Sequence, residues 1–218
     1  MCVVLGLTTG ATAGTVPATT VADSGPGQWK LAVGPAAGVM VLDSHLADYR
    51  WDTRPATQAG LQAMVERGRF ALGGRFWRAH TSQASGIPGE TQAPRVNLTG
   101  VEMVGQVRAL SYRAFELWGT GQAGRFHIGY DPDQLSFDVG GSFGTITVDY
   151  EPITEWEAGL GLELRAELTQ QFYMSVQGEG MTFSLDTAHR SGSEIVESRE
   201  RFVTWSLRMQ ASWVLSLG

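Results

Sequence analysis

Four histidines are the natural proton carriers of this chain, and each has a hydroxyl, carboxyl or strand neighbour that could give it work. Asp43-Ser44-His45 sets the three residue types of a nucleophilic triad in a row. Consecutive side chains of an extended chain point in different directions, so the run reads as solvated loop residues and not as a proton relay. His80-Thr81-Ser82 and His189-Arg190-Ser191 each place a serine two residues after a histidine, and neither is followed by an asparagine. His127, between Phe126 and Ile128, is expected to be an inward strand residue hydrogen-bonded inside the fold. Asp131-Pro132-Asp133 brings two carboxylates close together. Calcium wants six to eight oxygens, however, and a proline flanked by aspartates is first a turn signal. Asn97-Leu98-Thr99 matches a glycosylation sequon but falls at a strand start and is discounted. Gly119 to Gly124 matches GxGxxG, yet no helix follows to receive a phosphate. Cys2 is the only cysteine, which excludes an internal disulfide and a cysteine metal site. No catalytic residue, metal or cofactor is assigned on these grounds, and the protein is expected not to be an enzyme.

The elements that carry these residues are legible from a period of two. In Glu155 to Leu168, EWEAGLGLELRAEL, the residues Trp156, Ala158, Leu160, Leu162, Leu164, Ala166 and Leu168 form one face, and charge and glycine alternate on the other. That is a strand and not a helix. The same alternation runs through Val203 to Leu215, Phe172 to Glu179, Thr57 to Glu66 and Val101 to Ala109. Strands are predicted near 28–41, 56–67, 69–81, 96–111, 114–130, 155–168, 171–185 and 200–217. At roughly 12 to 16 residues they are more than twice the length of an average soluble strand. Residues 42–55, 82–95, 131–154 and 186–199 form long connections, while Gly68, Tyr112-Arg113 and Thr169-Gln170 mark tight turns.

Long loops at one end and short turns at the other suit a closed, antiparallel, up-and-down transmembrane β-barrel. The fold class is therefore all-β, with eight strands and a β-hairpin at 134–150 in the third long loop; if that hairpin enters the membrane, the count is ten. No run of 18 apolar residues is present, so a transmembrane helix is excluded. Closure sends alternate residues inward, and a narrow lumen obliges inward charges to pair. Glu102, Arg108, Glu163, Arg165, Glu167, Glu179 and Arg208 supply both signs and form the candidate lumen ion network. Gly159 and Gly161 leave room for long neighbours there. Trp205 and Trp213 lie eight residues apart on the outward face. That spacing is about 26 Å along the strand and about 20 Å after tilting, near the height of a lipid band. Trp29, Trp77, Trp118 and Trp156, with Tyr130 and Phe172, also fall near strand ends and complete the candidate interface aromatics.

The hairpin GLGLELRAELTQQFYMSVQGEGM, residues 159–181, resembles the late hairpins of OmpA-like and opacity-type outer-membrane barrels, and strand pattern and loop rhythm extend the resemblance from about residue 28 to 217. The resemblance is one of architecture. It implies insertion in the outer membrane of a Gram-negative-type bacterium after periplasmic transit. Such barrels usually finish on an aromatic residue, whereas this chain ends SWVLSLG. The two His-x-Ser pairs resemble the His-x-Ser of barrel lipid A deacylases but lack the asparagine that follows it there.

The net charge of -6 offers no basic stripe for phosphates, so nucleic acid is not expected as a partner. The expected partners are the lipid bilayer and a surface ligand or envelope protein met through loops 42–55, 82–95, 131–154 and 186–199. The leading expectation is a non-catalytic structural or adhesion platform. Against it stand a soluble lipocalin-like calyx with the two faces reversed, a barrel lipid-modifying enzyme and a small porin. A single barrel domain is expected over 28–218, preceded at 1–27 by either a truncated secretion signal or a disordered tail.

Overall fold

The computed structural model describes residues 27–84, 93–138, 144–191 and 194–217 of the chain. The N-terminal segment that precedes them, with its signal-or-tail alternatives, lies outside the described residues, as do the side chains of the His189 to Ser191 motif. Strands β1 (Trp29–Val41), β2 (Ala56–Arg67), β3 (Phe70–Ser82), β4 (Arg95–Tyr112), β5 (Phe115–Asp131), β8 (Ile153–Thr169), β9 (Phe172–Ser191) and β10 (Glu194–Leu217) form one closed antiparallel barrel. Between them, β6 (Gln134–Asp138) and β7 (Thr145–Asp149) pair only with each other. The barrel has eight strands, with the hairpin outside it.

Each barrel strand keeps the alternation of its sequence. On β8 the leucines face out and Glu157, Glu163 and Arg165 are buried inside. Leu160, the most exposed of the large apolar side chains at 75%, would be an aggregation site in water and is an asset in lipid. The reversed arrangement required by a soluble calyx is therefore absent.

The register fixes the shape. Paired residues lead around the wall from Val33 through Ala63, Gly74, Met103, Ala123, Ala158, Thr182 and Val203, and the β10–β1 register then sets Val203 level with Asp43, ten residues beyond the start. With strands about 4.8 Å apart and rising about 3.3 Å per residue, that offset inclines them by about 40°. Such a barrel is just wide enough for side chains.

Tight turns close one end. Gly68 takes φ +62° between β2 and β3, a conformation glycine adopts without steric cost, and Arg113 takes φ +54° between β4 and β5. The other end carries the longer connections, with one difference from expectation. Residues 186–199 do not form a loop: β9 and β10 stay paired as far as Ser191 and Glu194. From Ser184 to Thr204 they pair with no other strand, so this ribbon projects past the barrel rim. The ladder continues through residues expected to form the connection.

Candidate functional site

The lumen is built in two chemically distinct halves. In the half nearer the turns the chain places arginines among glutamates. Arg75 on β3 pairs with Glu102 on β4 and, at 3.1 Å, with Glu179 on β9; Arg208 on β10 also pairs with Glu179. Glu179 further accepts hydrogen bonds from Ser206 at 2.9 Å and Gln177 at 3.2 Å. Nearer the turns, Arg165 donates from Nε to Glu163 at 2.9 Å and from Nη1 to Glu66 at 2.6 Å. Its guanidinium lies 4.2 Å from the ring centroid of Trp118 and 4.7 Å from that of Tyr173, and it also donates to Gln106, which in turn donates to Glu163. A third pair, Arg108 to Glu116 at 2.6 Å, stands by the turn-end mouth. Fully buried charges persist only where such partners replace water, and here each arginine sits within reach of one or more carboxylates.

In the half nearer the loops the same inward positions turn apolar. Met40, Val96, Leu98, Phe126, Ile128, Met181, Phe183 and Phe202 form one buried cluster. Ring centroids of Phe126 and Phe183 are 4.6 Å apart, and those of Phe183 and Phe202 5.9 Å. The 3-10 turn Ser44–Tyr49 folds over this cluster, burying Leu46 in it and setting Tyr49 edge-on to Phe202. Trp77 joins the halves: its ring stacks on Phe126 while its N–H donates to Glu102. Gly100 makes that possible, because a Cβ there would lie 2.1 Å from the indole Nε1.

Of the sequence-derived network, Glu163 and Arg165 meet directly, Arg208 meets Glu179, and Arg75 links Glu179 to Glu102. Arg108 pairs instead with Glu116, and Glu167 is half-buried at the turn-end mouth without an ion pair among the described residues. The sequence-derived network lacks Arg75, Glu66 and Glu116; Glu66 lies on the polar face of the alternation from Thr57 to Glu66, whereas no inward face is assigned on β3 and the inward expectation for His127 sets the opposite phase on β5. Parity corrects two tryptophans. Trp77 and Trp118 are not interface aromatics: both are 1% exposed and inward, in phase with Arg75 and Glu116. Proximity to a strand end had outweighed phase. Trp29, Trp156, Trp205 and Trp213 face outward and are exposed, and Phe172 packs against Trp213 at 5.4 Å.

The histidines do not assemble a catalytic centre among the described residues. His127 is outward and exposed, not in the lumen, with Nδ1 2.9 Å from Thr154 Oγ1; its neighbours Phe126 and Ile128 are the inward residues. His80 is also outward, its Nδ1 2.8 Å from Asn97 Oδ1 on the next strand, and no hydrogen bond joins it to Ser82. Asp43 and His45 do meet, contrary to expectation, because Asp43 caps the 3-10 turn: it accepts from the His45 N–H at 3.0 Å and lies 2.8 Å from the His45 ring. Its second oxygen accepts the Val203 N–H at 2.8 Å, which ties the turn to β10. Burial works against this carboxylate, but the two N–H groups and the ring outweigh it and hold it below the usual carboxylate range. The hydrogen bond and charge of Asp43 in turn raise His45 above the ordinary imidazole value. Asp131-Pro132-Asp133 forms a bend between β5 and β6, and no group of metal-ligating side chains is gathered among the described residues.

A closed eight-stranded wall with an apolar exterior and a salt-bridged interior is the fold of small bacterial outer-membrane β-barrels. Solved structures agree. The chain is similar to Neisserial surface protein A, with a TM-score of 0.53 at 8% identity, over 85% of this chain and 96% of that one. It is similar also to outer membrane protein AlkL, with a TM-score of 0.50 at 15% identity, over 88% and 92%. No protein family matches the sequence, and no curated protein does.

Proposed function

We propose that the protein is a non-catalytic, non-conducting barrel of the outer membrane that presents a binding or adhesion platform on its loop side. One observation carries this reading: the wall encloses side chains along its length, while strand structure continues well past the rim as the β9–β10 ribbon and the β6–β7 hairpin. A lumen packed with arginine–glutamate pairs below and aromatic rings above gives solutes no water path. The projecting ribbon is braced for contact. Arg199 on it reaches Glu155 of β8 at 2.6 Å and Asp186 at 3.1 Å, and the Asp43 bond to Val203 holds its base.

The test embeds the barrel in nanodiscs and probes arrays of glycans and extracellular-matrix proteins, with planar-bilayer recording in parallel. The expected result is binding that disappears when residues 134–149 or 186–199 are shortened to a tight turn, in variants that keep heat-dependent gel mobility, and no current steps from the wild type. Steady unitary currents, or array binding indifferent to both deletions, would overturn the reading.

A further inference from the structure

The outward face changes character abruptly at the loop end of β3, β4 and β5. Below that edge Phe76, Val101, Met103 and Ala123 meet lipid; above it stand Arg78, His80, Asn97, Thr99, Arg125 and His127. The ladders bring these together: Arg78 pairs with Thr99, Thr99 with His127, His80 with Asn97, and Arg125 with Trp156 of β8. With strands tilted about 40°, each step to the next strand climbs about 3 Å and each residue along a strand about 2.5 Å. On that scale Arg78, Arg125 and the belt residue Trp205 stand at one height, within about 2 Å of each other. The backbones of the two arginines are therefore level with the lipid headgroups and about 12 Å apart along the wall, within reach of one headgroup for two long side chains.

Neither arginine makes an ion pair with a carboxylate among the described residues. Each lies instead over a ring: Arg78 is 5.3 Å from the centroid of Phe76, and Arg125 4.8 Å from that of Trp156. This contrasts with Arg108, Arg165 and Arg199, all matched to carboxylates. The outward positions from Arg78 to His80, Asn97 to Val101 and Arg125 to Gly129 hold no acidic residue at all. Between β3 and β4 a cleft of about 330 Å³ is lined by Arg78, His80, Asn97, Leu98 and Thr99. A guanidinium fork matches phosphate oxygens two at a time, and the hydroxyl, amide and imidazole groups beside it complete a set suited to the remaining oxygens. The apolar wall directly below would take the acyl chains of the same molecule.

We infer that the outward face of β3, β4 and β5 at its loop-side edge binds the phosphorylated headgroup of an outer-leaflet lipid, with Arg78 and Arg125 on its phosphates. The site lies at the bilayer edge and does not depend on the projecting hairpins, so the platform function and the lipid site stand or fall separately.

The test is native mass spectrometry of barrels released from phosphatidylcholine nanodiscs that contain either diphosphorylated lipid A or the same lipid with its phosphates removed. The wild type should retain the phosphorylated lipid and not the dephosphorylated one. Arg78→Gln with Arg125→Gln should lower retention by roughly tenfold for each guanidinium, while Arg67→Gln with Arg113→Gln, at the turn end, should change it little. Both loop-side arginines face outward, so the variant should keep its heat-dependent gel mobility. Should it not fold, Thr99→Glu places a carboxylate in the patch and should abolish retention by itself. Equal retention of the dephosphorylated lipid, an unaffected double variant, or displacement by millimolar inorganic phosphate would each overturn the assignment, the last by making the site one for free phosphate.

Discussion

Replacing Arg165 is the sharpest way to ask whether the ion pairs hold the barrel together. This guanidinium is buried among Glu163, Glu66 and Gln106 and is sandwiched by the rings of Trp118 and Tyr173. Arg165→Leu keeps an apolar side chain in the lumen and removes the charge, leaving Glu163, itself 0% exposed, without its cation. Orphaning one member of a buried pair costs about 3 to 5 kcal/mol, and that is the expected loss of unfolding free energy. Arg165→Lys keeps the charge but cannot span Glu163, Glu66 and Gln106 together. Losing one hydrogen bond to a charged group and part of the ring contact should cost about 2 to 3 kcal/mol. The decisive variant is the double one, Arg165→Leu with Glu163→Leu. It removes the stranded charge, and Glu66 can hydrate at the turn-end mouth, so about half or more of the single-variant loss should return. Urea unfolding in lipid vesicles, followed by tryptophan fluorescence and by gel mobility of unboiled samples, measures all four proteins. An Arg165→Leu barrel within about 1 kcal/mol of wild type, or a double variant weaker than either single one, would refute the account of the lumen as a set of obligate pairs.

Three further outcomes follow from other parts of the fold. Gly100→Ala sets a methyl group against the Trp77 indole, and displacing that ring should cost about 1 to 3 kcal/mol in the same unfolding assay, whereas Gly178→Ala, with open space at its Cβ, should be near neutral. Phe183→Ala takes the middle ring from the apolar cluster and should cost about 3 to 5 kcal/mol without creating a conducting path, since the ion network beneath it is intact. For the Asp43–His45 pair the signs differ. The lowered carboxyl stabilises the turn above its unfolded value and loses that contribution as pH falls through the folded one; the raised imidazole contributes below its unfolded value and ceases to as pH rises through the folded one. Protease cleavage within 42–55 should therefore be slowest between those limits, and Asp43→Asn should return the His45 ring, read by NMR, to the ordinary imidazole range; an unmoved titration removes the pair from the account.

Alternation made most of this architecture legible in the sequence, because a barrel wall obeys one rule along its whole length. EWEAGLGLELRAEL announces both of its media, and the strand count follows from turn spacing. The errors share a cause. Trp77, Trp118 and His127 were placed by residue type or by nearness to a strand end, when the phase of the charged residues Arg75 and Glu116 gives the way they face. The apolar upper lumen was harder to foresee, since Phe126, Phe183 and Phe202 look like lipid-facing residues until their strands are phased against charged neighbours many residues away. The β9–β10 ribbon was hidden for a different reason: although Leu185, Thr187 and Phe202 at its base are buried, the ribbon beyond the rim has no lipid to face, and nothing obliges it to segregate apolar from polar.

The seam that closes the wall joins the first barrel strand to the last, with Trp29 beside Leu217. Every other seam joins barrel strands consecutive in the chain and can zip as soon as the later one exists, but this one must wait for β10. Until then β1 and β10 are bare edges, each offering unpaired backbone groups to any passing strand. The seam is also close-packed: at Gly34 and Gly38 the backbones approach so closely that a Cβ would lie 1.9 Å and 2.1 Å from carbonyl oxygens of Ala211 and Leu207. Assembly thus ends with its least local step, at a seam that admits no side chain at Gly34 or Gly38, and a nascent barrel must be escorted as an open, sticky sheet right up to the moment it shuts.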